Sequence, residues 1–177
     1  MLLKWIKNVK VIIISLLFFF GNVSANDYKL GAGDKIQITV YGEADLTTQV
    51  KIEKSGVISF PFLSDITVVG LTSKELENKV ANGLRGDYLI DPQVTVSIEM
   101  YRPFFIHGQV KRPGGYPFQE DLTLDKAIAI AGGLAARASK SAWNITRLVN
   151  GEKSVFNANV SSVILPDDII EIEQSFF

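Results

Sequence analysis

The tetrapeptide Thr72-Ser73-Lys74-Glu75 constrains the fold more than any other stretch of the chain, because it fixes where a helix begins. A threonine hydroxyl in front of a helix accepts a free backbone N–H, and a glutamate three residues on reaches back to the threonine backbone. Leu71 and Leu76 stand on either side in staple positions, Leu76, Val80 and Leu84 repeat every four residues, and Gly83 and Gly86 mark the end. The neighbouring segments have a different period. Residues 34–41 (DKIQITVY) alternate, with Ile36, Ile38 and Val40 on one face and Lys35, Gln37 and Thr39 on the other. Residues 93–100 (QVTVSIEM) alternate again and predict burial of Val94, Val96, Ile98 and Met100. Residues 49–53 and 57–62 (QVKIE and VISFPF), separated by Lys54-Ser55-Gly56, predict a hairpin with Ile58, Phe60 and Phe62 inward and Pro61 pushing the second strand toward an edge. A membrane barrel of about eight alternating segments has no place for the capped helix, whatever the terminal Phe176-Phe177 suggests.

Arg102-Pro103 interrupts the pattern and predicts a junction or bend near 101–103, after which the recipe repeats. A strand over 104–110 (FFIHGQV) leads into Lys111-Arg112-Pro113-Gly114-Gly115, read as a turn in which Pro fixes φ and the glycines permit φ > 0. A second helix is predicted at about 124–132, with Thr123 as N-cap, Asp125 in the first turn and Gly132-Gly133 closing it. Asn150-Gly151 is a type I′ hairpin signal between strands at about 143–149 and 153–157, and Pro166-Asp167-Asp168 turns the chain into a last short strand. The halves echo each other: Gly33-Asp34-Lys35-Ile36-Gln37-Ile38 matches Asp167-Asp168-Ile169-Ile170-Glu171-Ile172, and Leu71-Thr72…Gly83-Leu84 matches Leu122-Thr123…Gly133-Leu134 with an offset of one residue. The expectation is an α+β fold of two small modules, each of mixed strands with one helix.

The first 25 residues read as an address. Lys4, Lys7 and Lys10 form a positive region, Val11 to Gly21 is apolar, and Val23-Ser24-Ala25 places small residues for signal peptidase, so cleavage is expected between Ala25 and Asn26. The apolar run is about half of the ~20 residues a spanning helix needs. Removing residues 1–25 takes away three lysines and no acid, leaving 15 Lys+Arg against 19 Asp+Glu, a net charge of −4. Halves of about 75 residues are marginal alone and are expected to pack on each other or on neighbouring copies.

Composition limits the chemistry. With no cysteine, disulfides, thiolate metal sites, cysteine nucleophiles and N-terminal lipidation of cysteine are excluded. No run of Lys or Arg exceeds two residues, which argues against a nucleic-acid partner. His107, the one histidine, sits in a strand pattern with no Ser or Asp motif beside it, and reads as a packed or surface strand residue. Asp167 and Asp168 with Glu171 and Glu173 lack the ligand order of a calcium loop, and Gly31-Ala32-Gly33 precedes a strand where a phosphate loop would open a helix. Trp143, Tyr88, Tyr101 and Tyr116 have faces suited to stacking on sugar rings, but packing in a core is the expected use of any one of them.

Residues 28–41 (YKLGAGDKIQITVY) and 106–117 (IHGQVKRPGGYP) together resemble the outer-membrane polysaccharide export family. The first half is similar to its export domain, through the opening Y-x-L-x-x-G-D-x-I-x-I-x-V, the G-x-I-x-F-P segment at 56–61 and the helix at 71–84. The second half is similar to its soluble-ligand-binding β-grasp (SLBB) domain, through the run from Gly108 to Tyr116 and the Leu122-Thr123 helix. The resemblance implies a signal peptide over 1–25, an export domain over 26–101 and an SLBB-type domain over 102–177. Its motif residues Gly33, Asp34, Gly56, Pro61, Gly108, Val110, Pro113, Gly114 and Gly115 are then structural, shaping turns.

The resemblance further implies a non-enzymatic component of capsule or exopolysaccharide export, without cofactor or metal. Its copies form a ring around a periplasmic passage and meet an inner-membrane polysaccharide co-polymerase. Larger family members carry a lipidated N-terminal cysteine and a C-terminal amphipathic helix across the outer membrane. This sequence has no cysteine and stops four residues after Glu173. The expectation is a periplasmic protein associated with the outer membrane without a lipid anchor, dependent on a partner such as an outer-membrane barrel. Two other readings compete with it: a glycan-binding or regulatory module of the co-polymerase that forms no conduit, and a carboxylate-based glycan hydrolase using acids such as Asp167, Asp168 and Glu120.

Overall fold

The computed structural model describes residues 28–149 and 151–175; the expected cleavage point at Ala25-Asn26 lies outside them, as does Asn150. Among these residues the chain forms β1 (Lys35–Val40), β2 (Glu43–Lys51), β3 (Val57–Ile58), β4 (Ile66–Thr67), α1 (Ser73–Leu84) and β5 (Val94–Met100) in its first half. The second half forms β6 (Phe104–Gly108), β7 (Gly114–Tyr116), α2 (Leu124–Ile130), β8 (Ala138–Val149), β9 (Glu152–Asn157) and β10 (Ile169–Gln174). A three-stranded sheet of order β2-β1-β5 belongs to the first half, a five-stranded sheet of order β7-β6-β10-β8-β9 to the second, and β3 pairs β4 in a short ribbon. The fold is α+β, in two modules with separate cores.

Alternation and capping explain each core. In the first, Ile36, Ile38 and Val40 face Leu76, Val80 and Leu84 of α1, all buried; each such side chain contributes about 1.5–3 kcal/mol. The capping box forms as expected: Thr72 Oγ1 accepts the Glu75 N–H at 3.1 Å, and Glu75 Oε2 accepts the Thr72 N–H at 2.7 Å. That backbone N–H, with Lys29 beyond it, holds the Glu75 carboxyl below the usual range. In the second core, Ile170 and Ile172 lie among Phe104, Ile106, Trp143 and Ile145 against Leu124, Ala127 and Ile128.

Several expectations need correction. Residues 49–53 do not pair with 57–62. β2 runs for nine residues along β1, whereas β3 turns at Gly56 (φ 74°) and pairs with β4. Pro61, which has no N–H to offer a sheet, sits in a turn after β3. Phe62, expected inward, is 64% exposed with φ 63°. Met100 is 60% exposed because the β1–β5 register shifts between Lys35 and Ile36, and it falls opposite Lys35 at the sheet's end.

In the second half α2 stops at Ile130, since Gly132 (φ 83°) and Gly133 (φ 91°) both take left-handed backbone. Thr123 stands at the N-cap, but its hydroxyl bonds the Asp125 carboxylate, which lowers that acid's pKa. The first helical N–H groups are taken instead by the Ser162 and Val160 carbonyls at 2.9 and 3.1 Å. Gly114 and Gly115 do not take φ > 0; they lie in β7, and Gly115 sits against the Phe105 ring, where a Cβ would come 2.9 Å from Phe105 Cε1. The left-handed residue of this segment is Gly108 (φ 83°).

The echo between the halves is structural. Gly33 (φ 105°) and Asp167 (φ 67°) each take left-handed backbone and precede a wholly buried aspartate, Asp34 or Asp168. Each carboxylate accepts the N–H three residues back, Gly31 at 2.8 Å or Leu165 at 2.7 Å. In front of the turn, the Leu30 N–H meets the Leu71 carbonyl at 2.8 Å and the Ile164 N–H meets the Leu122 carbonyl at 2.9 Å. The unit therefore ties one central strand to the residue ahead of one helix N-cap, twice. It opens the first module at β1 and closes the second at β10.

Candidate functional site

The two modules meet at Asp34. Buried carboxylates persist only when their oxygens are hydrogen-bonded. Here the donors are the Gly31 N–H, the Tyr28 hydroxyl at 2.7 Å to Oδ2, and the Arg102 backbone N–H at 2.9 Å to Oδ1. Arg102 comes from the junction segment. Its Nε lies 3.6 Å from Asp34 Oδ1 and 3.3 Å from Asp167 Oδ2, so one guanidinium spans both copies of the repeated turn. The approach depends on glycine: a Cβ on Gly31 would stand 1.6 Å from Arg102 Nη1. The guanidinium also lies over the Tyr28 ring, 5.7 Å from its centroid.

Aromatic contacts continue the junction. Tyr101 packs edge-on against Tyr28 at 4.9 Å and against Phe118 at 5.3 Å, linking residues of both modules, and its hydroxyl donates to Glu120. Burial, then the Asp34 carboxylate, raises the Tyr28 pKa far above that of a free phenol; burial, then Glu120, does the same for Tyr101. Both phenols are held as hydrogen-bond donors. Burial also raises the Asp167 carboxyl, with the Arg102 charge opposing.

The second buried aspartate is clamped within its module. Arg147 of β8 gives Asp168 a bidentate pair, Nε to Oδ1 at 2.8 Å and Nη2 to Oδ2 at 2.6 Å, while Nη2 also reaches the Val163 carbonyl at 2.9 Å. Asp167 and Asp168 are thus committed to two different arginines and do not converge as a pair across a cleft. Glu173 accepts from Asn144 at 2.7 Å, Glu171 lies opposite His107 in the β10–β6 register, and His107 is exposed on β6's outer face. No group of three or more His, Asp or Glu among the described residues is placed to hold a metal ion. The Gly31-Ala32-Gly33 turn directs the Gly31 N–H to Asp34, where a phosphate loop would offer it to a ligand.

The motif residues divide by position. Gly33 and Gly56 are left-handed turn residues beside Arg102 and Val69; Gly108 lies against β10, where a Cβ would meet the Ile172 carbonyl oxygen at 2.2 Å. Val110 is buried and bridges Leu134; Pro113 is exposed ahead of β7. Residue reading alone missed Arg102 and Arg147 as clamps. The signal was present: an echoed aspartate on a strand's first turn calls for a cation, and an arginine sits at the junction.

Of the four aromatic side chains with faces suited to sugar stacking, three are used in packing. Trp143 is buried with its Nε1 on the Ser139 carbonyl at 2.8 Å, Tyr101 packs in the junction, and Tyr116 stacks on Phe104 at 5.9 Å. Tyr88 remains 49% exposed and stacks on Phe62 at 5.1 Å. Other apolar side chains face outward along β8 and β9, with Leu148 59%, Val155 66% and Phe156 40% exposed. No helix among the described residues is long and apolar enough to cross a membrane.

Each module matches a known family model. The family model described as polysaccharide biosynthesis/export protein matches residues 22–99, and that of the SLBB domain matches residues 103–157. The exopolysaccharide production protein ExoF of Rhizobium meliloti is 30% identical over 62% of this chain and 29% of its own length. The EPS I polysaccharide export outer membrane protein EpsA of Ralstonia nicotianae is 24% identical over 85% of this chain and 48% of its own length. The polysialic acid transport protein KpsD of Escherichia coli is 26% identical over 51% of this chain and 16% of its own length. The chain therefore spans less than half the length of each of these curated relatives. From the Y-x-L-x-x-G-D opening clamped by Arg102 to the glycine-bearing β6–β7 segment, the chain belongs to the polysaccharide biosynthesis/export family, with an SLBB domain following the export module.

Proposed function

We propose that this chain is a non-enzymatic component of a polysaccharide export machine, working in the periplasm at the outer membrane, where copies of it assemble into a ring that guides the polymer. In this reading residues 1–25 are a signal peptide, 26–101 the export domain and 102–177 the SLBB domain. The observation that carries it is where the chain spends its charge and where it leaves its edges. The buried acids Asp34 and Asp168 are both spent holding turns. By contrast β2 and β9 are terminal strands of their sheets, and β9 carries exposed Val155 and Phe156. An unpaired edge joining a different edge on the next copy is a head-to-tail contact, which closes into a ring when the rotation per copy allows. The β5 edge suits this less, because Glu77 of α1 accepts the Val96 N–H at 3.1 Å. The partners are the polysaccharide, further copies, an inner-membrane co-polymerase and an outer-membrane barrel. Deleting the gene is expected to abolish surface polysaccharide, and the purified mature chain is expected to run as a multimer by mass photometry. A monomer at high concentration together with unchanged secretion sinks the reading, as does turnover of glycan by pure protein.

A further inference from the structure

We infer that Phe62 and Tyr88 form a ledge that stacks on neutral sugar units of the exported polymer, an inference that rests on the export reading above. Two anomalies meet here: Phe62 breaks the inward alternation of its segment, and it holds φ 63°, a conformation rare for a bulky side chain. Backbone strain of this kind persists only where the surroundings impose it. Phe60 anchors one end of the turn in the core, and the Leu63 N–H returns to its carbonyl at 3.1 Å. Leu63 lies on Gly83 of α1, where an added Cβ would meet its Cδ2 at 3.0 Å. With both ends fixed, Phe62 is driven outward onto Tyr88, ring planes 27° apart. Tyr88 is fixed as well: its N–H and that of Leu89 return to the Leu84 carbonyl at 3.2 and 2.9 Å, and the Gly86 N–H meets the Leu89 carbonyl at 2.8 Å. The ledge is built before anything binds, which lowers the ordering cost of binding.

Size and surroundings favour a sugar over a protein partner. The exposed parts of the rings, with Ile90 beside them in the chain, offer a few hundred Å², against roughly 800 Å² per side for a stable protein interface. The chain neighbours Ser64, Asp65, Arg85, Asp87 and Asp91 are exposed and polar, whereas interface cores are depleted of charge. A pyranose presents weakly positive C–H groups, which suit the negative face of an aromatic ring, and rim hydroxyls, which donate to carboxylates. Those same carboxylates repel an acidic polymer, so the fit is to a neutral unit. One shallow ledge per copy grips weakly enough to release, as conduction requires.

The test is an NMR titration of the isotope-labelled mature protein with cellohexaose and, separately, with fragments of the strain's own secreted polysaccharide. Shifts confined to residues 61–64 and 86–91 at about millimolar affinity are expected. Phe62→Asn, in which Asn tolerates the left-handed backbone, is expected to weaken binding at least tenfold with the fold intact, and Phe62→Tyr to retain it. No shift at these residues with either probe overturns the inference. So does a Phe62→Asn variant that loses assembly mass while binding sugar as before, which makes the ledge a contact between copies. If the ledge binds but deleting the gene leaves secretion unchanged, the export reading fails and the ledge stands.

Discussion

Asp167 shows how one carboxyl is set by opposing forces. It lies between Arg102, which favours its charge, and a partly buried setting beside Asp34 and Asp168, which disfavours it, and the balance raises its pKa. A raised folded-state pKa means that the folding advantage of the protonated acid is present below the usual carboxylate value and is lost as pH rises through the folded value. At neutral pH the ionised group is therefore a net cost. Asp167→Asn removes that cost at a position whose left-handed backbone Asn accepts. The variant is expected to match or exceed the parent at pH 7 by less than about 1 kcal/mol, since the half-exposed group is screened by solvent. The gain should vanish as pH falls through the carboxylate range; thermal unfolding of both proteins from pH 3 to 8 measures it. Glu75 runs in the opposite sense, its lowered carboxyl favouring the fold above the carboxylate range.

At the scale of elements, glycine decides whether β6 and β10 pair. The two strands run parallel from Phe105–Ile169 to Gly108–Ile172, and Gly108 at φ 83° brings its Cα under the Ile172 carbonyl. Gly108→Ala puts a methyl 2.2 Å from that oxygen in a strained conformation, and is expected to destabilise the second module by about 3 kcal/mol or more. Denaturant unfolding followed by Trp143 fluorescence reads that loss. The elements themselves were legible where a local rule suffices. The capping box gave α1, alternation gave β1 and β5, and the last strand followed from Pro166-Asp167-Asp168. Pairing was less legible. A strand such as β2 reads the same whether it joins β1 or the segment after Gly56; in the fold it joins β1, from Lys35–Lys51 to Val40–Glu43. Phe62 and Met100 went astray for a related reason: alternation assumes an unbroken strand, and a turn ends one while a register shift displaces the other.

For the whole molecule, the fastening between modules matters most. Arg102 connects Asp34 of the first turn to Asp167 of its copy, with Tyr28, Tyr101 and Phe118 packed beside it. Arg102→Gln removes the charge that spans both turns while leaving Asp34 its other donors, including the residue's own backbone N–H. A cost of about 3 kcal/mol is expected, the lower end for breaking a buried pair. Both cores should survive, while protease cleavage around residues 101–103 accelerates; limited proteolysis with mass mapping reports it. The candidate site was legible as motifs without their purpose. The sequence pattern shows Gly33-Asp34 and Asp167-Asp168 as like turns, but that one side chain from the junction joins them is a fact of three-dimensional placement.

The placement of β10 also bears on how the chain comes to be folded. It lies between β6 and β8 and is made after every other strand of its sheet, beyond the residues that the SLBB family model matches. Until it emerges, its neighbours on either side have nothing to bridge them and the Arg147 clamp has no acid to close on. The first module has all its strands long before that, so a nascent polypeptide carries one finished half and one open half, and clipping only its final stretch removes the middle of a sheet while sparing its fringe.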